Sequence, residues 1–476
     1  MDPSDRMHEG VKTIVQDNVS KYDTSPVRVA LFGLGRIGMI HLEKIYSNPR
    51  TKLVYCVETI AERQRYVQTA WYLDDVTFLH SDDSDQVFNN PSIDAVVIGT
   101  PTFTHKELVI RALRAKKAVL CEKPLAPNHR GMAECYKLAK EMGVPLLTAF
   151  NRRFDPNFQD VHKRSQEGEV GDIRVIKTCS RDSPTPSIEY LKSSGGIFHD
   201  CACHDIDMIM WITGERPVKV TAQAHSYNEE IKAINDFDTV GILLQFPSGT
   251  MGMIDLSRLS SYGYDQRLEV FGPKGMLLGG NARPTGIMAE TRQGTNQPPY
   301  FYSFASRFAE AYAQELDHFV DCVKGGHQMT EEIFLEVLTL SFYFFPGLIE
   351  VSITAQDCMA SWIVSQAAEE SARLGRPLYI NWDENGEGTL STEPPCSNDN
   401  NVNNVSCSVK CPLISLKNKE NDKMQNGQSE DHVRNDVPFH DEMSIREDQT
   451  NGECRMCEHP MNGGLQRAGE RTTKVK

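Results

Sequence analysis

The sequence predicts an α/β protein. A parallel, doubly wound sheet is expected over residues 27–150, followed by an α+β domain over 151–384 with an open, mostly antiparallel sheet. Three observations carry this reading. Apolar, β-branched runs such as Val27–Phe32 and Ile93–Ile98 alternate with helical patterns, as parallel strands buried on both faces require. From residue 151 onward, strand-like runs follow one another with turn signals (FPSG, FGPKG) and little helix between them. And 476 residues, 39% hydrophobic and 24% charged, are enough to bury more than one core.

Taken in order, residues 1–26 read as a polar extension and Val27–Phe32 as the first strand. Gly33, Gly35 and Gly38 follow at G-x-G-x-x-G spacing, with Arg36 and Ile37 opening a helix. The first glycine permits a tight turn, the second lets a pyrophosphate approach the backbone, and the third allows close helix–strand packing. The next strand, LVYCVE, ends in Glu58, twenty residues past Gly38. An acid there can bond an adenosine ribose and repels a 2′-phosphate, so NAD is favoured over NADP, with Arg63 nearby moderating the preference. Helices are expected at 61–73, 82–89, from Pro101 through Leu113, and at 129–142 with Asn128 as N-cap and Gly143 as stop. Strands are expected at 117–121 and 144–150. In the second region, strands are expected at 173–179, 218–227, 237–246, 250–256, 267–271 and 276–278, with one long helix over 306–323.

Two places carry candidate chemistry. Lys123, in Glu122-Lys123-Pro124, sits just beyond the strand 117–121, on the edge where ligands of open α/β sheets bind. Further on, GGIFHDCACHDID puts Asp200 and His204 four residues apart in an apparent helix, so both side chains can point into one pocket. Such a pair also occurs on plain helix surfaces. A histidine, however, can take or give a proton near neutral pH, which proton-transfer chemistry demands.

The motifs GLGRIG, TPTFTHKELVIRAL, CEKPLA, FNRRFDPNF, SRDSP and SGGIFHDCACHDIDM occur in an order and spacing that resemble the Gfo/Idh/MocA oxidoreductases, above all their inositol 2-dehydrogenase-like members. The resemblance spans roughly residues 27–382. It implies a Rossmann domain, NAD(H) or NADP(H), a polyhydroxylated substrate, and a tetramer or dimer formed through the exposed sheet. By motif it implies Lys123, Asp200 and His204 as the catalytic trio. It also implies Arg153, Asp182 and Tyr264 on substrate hydroxyls, His105 near the nicotinamide, and Thr100 and Glu122 on the cofactor. In this scheme His204 takes the hydroxyl proton, Asp200 bonds the substrate and biases the imidazole, and Lys123 steadies charge on the reacting oxygen. Other sugars or a dihydrodiol are alternative substrates, and a non-catalytic NAD(H)-binding sensor is the alternative outside enzymes.

Two stretches depart from the pattern. EEIFLEVLTLSFYFFPGLIEV, within 330–352, reads as an insertion or an extra helix; Val337–Ile349 is too short to cross a membrane. After residue 384 the composition is that of a disordered tail, and Cys454-x-x-Cys457 there is a weak metal or redox signal. A net charge of −15 argues against nucleic acid as the main partner. Thirteen cysteines without framework spacing, and an N-terminus without an apolar core, point to the cytoplasm.

Overall fold

The computed structural model describes residues 25–325, 353–384 and 386–394. The run 330–352, the polar residues 1–24 and the Cys454–Cys457 pair all lie outside the described residues.

β-Branched residues with no polar face favour strands covered on both sides, and the first half consists of such strands. In order come β1 (Val27–Phe32), α1 (Arg36–Ser47), β2 (Thr51–Val57), α2 (Ala61–Ala70), β3 (Thr77–Leu79), α3 (Asp85–Asn89) and β4 (Ala95–Ile98). Next are α4 (Thr102–Arg114), β5 (Ala118–Glu122), α5 (His129–Met142) and β6 (Leu146–Ala149). The strands form one parallel sheet in the order β3-β2-β1-β4-β5-β6. The order reverses direction between β1 and β4, so a crevice opens there at the strands' carboxyl ends. Gly33 (φ 87°) makes the turn after β1, and a Cβ on Gly38 would lie 2.0 Å from the Gly33 carbonyl oxygen. Only hydrogen fits at position 38, which brings α1 tightly against the turn. Asn128 caps α5 by accepting from Gly131 N, and Gly143 (φ 62°) ends it.

Beyond β6 come a 3₁₀ turn (Asn151–Phe154), α6 (Pro156–Gln166), β7 (Val175–Arg181) and α7 (Ile188–Ser193). A π turn (Phe198–Ala202) runs directly into α8 (Cys203–Thr213). Then follow β8 (Lys219–His225), α9 (Glu229–Ala233), β9 (Thr239–Gln245), β10 (Met251–Ser257), β11 (Asp265–Gly272) and β12 (Gly275–Gly279). The short hairpin β13 (Ala289–Thr291) and β14 (Gly294–Asn296) precedes α10 (Phe304–Arg307) and α11 (Ala309–Gly325). α12 (Ala355–Leu374), β15 (Leu378–Trp382) and β16 (Gly388–Ser391) complete the described chain. The second sheet runs β12-β11-β7-β10-β9-β8-β15-β16 and is antiparallel except at β7–β10. Its strands alternate: Val240, Ile242, Leu244, Ile254 and Leu256 are buried, while Leu243, Met251 and Met253 face outward; α12 packs on β8 and α8 on β7.

The structure adds helices that the sequence pattern hid. α6 begins with Pro156 at its first position behind the cap Asp155, a start signal without a strong apolar stripe after it. α12 opens with a capping box between Thr354 and Asp357, yet its buried face is largely Ala and Ser (Ala360, Ser361, Ser365, Ala367, Ala368, Ser371). Small residues allow close approach but leave no large-apolar periodicity to read. The single long helix expected over 306–323 is divided at Phe308 into α10 and α11. Order also extends past residue 384, because β16 pairs with β15 and covers the sheet edge.

Candidate active site

The two halves meet at a cavity of about 530 Å³. From the parallel sheet come Gly33, Gly35, Arg36, Ile37, Glu58, Thr100, His105, Glu122 and Lys123; from the second half come Asp182, Asp200, His204 and Tyr264. The expected residues therefore converge, with two exceptions. Gly38 lies under the turn as a packing residue. Arg153 points away from the cavity and is buried against Asp207 (Nε to Oδ2 2.9 Å) and Asp357 (Nη1 to Oδ2 3.4 Å). Its neighbour Arg152 lines the cavity instead. The two sit in a 3₁₀ turn, where three residues complete a revolution and adjacent side chains diverge by about 120°.

The glycine-turn end fits NAD. The N-terminus of α1 has no side-chain cap and no acid in its first turn, so its amides are available to an anion. A Cβ built on Gly35 would meet nothing within 4 Å, so a ligand can reach this backbone. At the far end Glu58 accepts from Leu34 N (2.8 Å) and Ile60 N (3.0 Å), which fixes a carboxylate beside the turn. Arg63 is occupied with the Leu34 carbonyl (Nε to O 2.9 Å). His105 ties two segments together, its ring nitrogens 2.7 Å from Thr100 O and 2.8 Å from Pro124 O, which steadies the loop bearing Lys123. Behind Lys123, Glu122 bonds His41 (2.9 Å).

At the other end Lys123 Nζ donates to the Asp200 backbone oxygen and to Asp200 Oδ1 (3.1 Å). Tyr190 OH also donates to Oδ1 (2.8 Å), and Arg258 Nη1 donates to Oδ2 (2.7 Å). Asp200 is thus spent on these three partners and does not orient His204 by a hydrogen bond, contrary to the expected division of labour. The cause is local: Asp200 lies in a π turn, whose wider winding breaks the i,i+4 stacking assumed for a regular helix. Burial works against both charges of the Lys123–Asp200 pair. Their mutual attraction, with Arg258 helping, outweighs it: the lysine is held above its ordinary range and the carboxylate below its own. His204 shows the opposite balance. Burial first, then Lys123 and Arg152, hold its imidazole well below the usual histidine range, so it is neutral at pH 7. Its Nδ1 has no hydrogen-bond partner, and its ring packs perpendicular to Phe150 (centroids 6.0 Å apart, interplanar angle 79°).

Sequence reasoning missed Arg152, Tyr190, Arg258 and the setting of Arg36. The Arg36 guanidinium lies over the Tyr190 and Phe304 rings (5.2 and 4.9 Å), linking the glycine turn to the second half. Arg258 follows an alternating strand directly, and a charge at a strand's carboxyl end was the available clue.

Two family descriptions match the chain: "Oxidoreductase family, NAD-binding Rossmann fold" over residues 27–150 and "GFO/IDH/MocA C-terminal domain" over 158–278. The chain belongs to the Gfo/Idh/MocA oxidoreductase family. Within that family it is 38% identical over 304 residues to an inositol 2-dehydrogenase of Rhizobium meliloti, covering 64% of this chain and 90% of that protein. It is also 38% identical over 302 residues to a myo-inositol 2-dehydrogenase of Thermotoga maritima, covering 63% and 89%. The crystal structure of a myo-inositol dehydrogenase from Corynebacterium glutamicum superposes with a TM-score of 0.64 at 32% identity, over 75% of this chain and 99% of that one.

Removing one partner of the buried Arg153–Asp207 pair strands a charge. Arg153→Ala is therefore expected to lose about 3–5 kcal/mol of stability in a denaturant melt; Arg152→Ala, which strands the buried Asp205, should cost stability too and in addition raise the substrate KM. Glu58→Ala is expected to narrow the preference for NAD over NADP, read as the ratio of kcat/KM for the two cofactors; an unchanged ratio would move that role to another residue.

Proposed function

We propose that this chain is an NAD-dependent dehydrogenase that oxidises a secondary hydroxyl of myo-inositol or a related cyclitol to the ketone. The observation that carries the reading is the convergence of Lys123, Asp200 and His204 on one cavity beside the glycine turn. The inositol dehydrogenases among its relatives support the choice of substrate class.

The residues account for each proton. Neutral His204 accepts the hydroxyl proton as the carbon–hydrogen bond breaks. Lys123 spends donors on Asp200 and keeps its remaining N–H for the substrate oxygen, where it stabilises developing negative charge. Bound NAD supplies the acceptor for the hydride. Asp182, Arg152 and Tyr264 offer acceptors and donors to the other hydroxyls. The acids Asp182, Asp200 and Asp205 balance Lys123, Arg152 and Arg258, which suits an uncharged polyol.

The outer face of the second sheet exposes Leu243, Met251, Met253, Phe271, Met276 and Leu278, and this apolar patch supports self-association. The eight described cysteines are free thiols, which supports a cytoplasmic setting. Among the described residues no helix is long and apolar enough to cross a membrane.

NADH formation with a panel of inositols and hexoses tests the reading; activity on hexoses alone would replace the substrate class. Lys123→Ala and His204→Ala are each expected to lower kcat by roughly 10²–10⁴-fold while NADH titration remains near wild type. Because burial and two cations hold His204 down, it stays neutral until the pH falls below the ordinary histidine range. The acid limb of kcat/KM should accordingly lie below about 6.5 and belong to the buried Asp182 carboxyl, which burial holds above the usual carboxylate range. Met253→Glu with Leu278→Glu is expected to lower the mass measured by light scattering; an unchanged mass would place any interface elsewhere.

A further inference from the structure

Arg258 is 1% exposed, yet its side chain forms part of the cavity wall. It stands between two acids of the substrate end: Nη1 is 2.7 Å from Asp200 Oδ2 and 3.8 Å from Asp182 Oδ2. On its far side Nη2 is 3.9 Å from Asp236 Oδ2, and Nε and Nη2 complete no hydrogen bond. Two carboxylates this close in a buried pocket cannot both keep their charge without a cation between them. Lys123 serves only Asp200, and Arg152 is held by Asp205 (3.1 Å) and Ser180. We infer that Arg258 is a positioning residue of the dehydrogenase: it lets Asp182 and Asp200 stay ionised side by side and keeps Asp200 turned toward Lys123.

The remaining groups around the pair agree. Tyr190, from α7, donates to Asp200 Oδ1, and the Cys201 thiol lies 3.6 Å from Asp182 Oδ2; neither brings a positive charge. His204 is neutral. Burial already pushes the Asp182 carboxyl up, with Arg258 the foremost opposing influence, Asp200 adding to the rise and Arg152 opposing it more weakly. Without the guanidinium, Asp182 would take a proton at higher pH, and Asp200 would lose the partner that fixes Oδ2.

The inference rests on the dehydrogenase reading, but its test includes a measurement free of activity. Arg258→Gln is expected to lower kcat at least about tenfold with little change in the KM for NAD. It should also move the acid limb of kcat/KM to higher pH by about one unit or more. Arg258→Lys keeps the charge and should return the limb toward wild type. The guanidinium favours ionised carboxylates, so the stability it contributes is present at neutral pH and fades as the pH falls. The melting temperature of Arg258→Gln should therefore trail wild type by more near about pH 8 than near about pH 5. A limb that does not move, or a deficit in melting temperature that is the same at both pH values, would overturn the assignment. If neither Arg258 variant folds, Asp182→Asn carries the test. Removing the competing carboxylate should shift the limb to lower pH, and an unmoved limb overturns the inference. A wild-type chain that oxidises no polyol would fail the dehydrogenase reading instead, and the melting comparison would still decide the role of Arg258.

Discussion

A row of buried charges, Lys123–Asp200–Arg258, is the constraint on which the rest of the architecture depends. Taking an ammonium, a carboxylate and a guanidinium out of water is costly, and only close pairing offsets the loss of hydration. Each member is delivered by a different element: Lys123 by the carboxyl end of β5, Asp200 by the π turn, and Arg258 by the end of β10. Both sheets, and the Gly195–Gly196 turn that leads into the π turn with φ of 86° and 84°, must be in place before the row can form. Assembly of the chemistry therefore depends on both halves being in place.

The row also sets the electrical character of its surroundings. The positive charge of Lys123 and Arg152 falls on His204, and burial acts in the same direction, so the imidazole is left uncharged among ions. A neutral base next to a fully protonated lysine is the pairing an alcohol oxidation needs: one group to take the proton, another to steady the oxygen that has lost it. The Phe150 ring, set roughly perpendicular to the imidazole, keeps this corner apolar.

Much of this was legible in the sequence, for physical reasons. The glycine spacing could be read because each glycine answers a steric demand, and at Gly38 a Cβ would strike backbone. Strand alternation in β9 and β10 could be read because each faces a core on one side only. Other features left little local trace beyond the Thr354–Asp357 capping box that opens α12. α12 buries alanine and serine, so it shows no stripe of large apolar residues. Arg152 and Arg153 are chemically identical, and only the phase of a 3₁₀ turn decides which faces the cavity and which is buried with Asp207. The partnership of Arg258 with Asp200 spans 58 positions and exists only once the sheet has brought the two together.

The π turn has one further consequence. It holds one residue more per hydrogen-bonded ring than the α-helix it runs into, and that surplus gives Asp200 its bearing on Lys123. Deleting a single residue between Phe198 and Ala202 would let the stretch relax into ordinary helix and swing everything before the deletion by roughly 100° about the axis. Asp200 apart, the chain along this segment is locked in length more strictly than in composition: the other letters can be exchanged, but their number cannot.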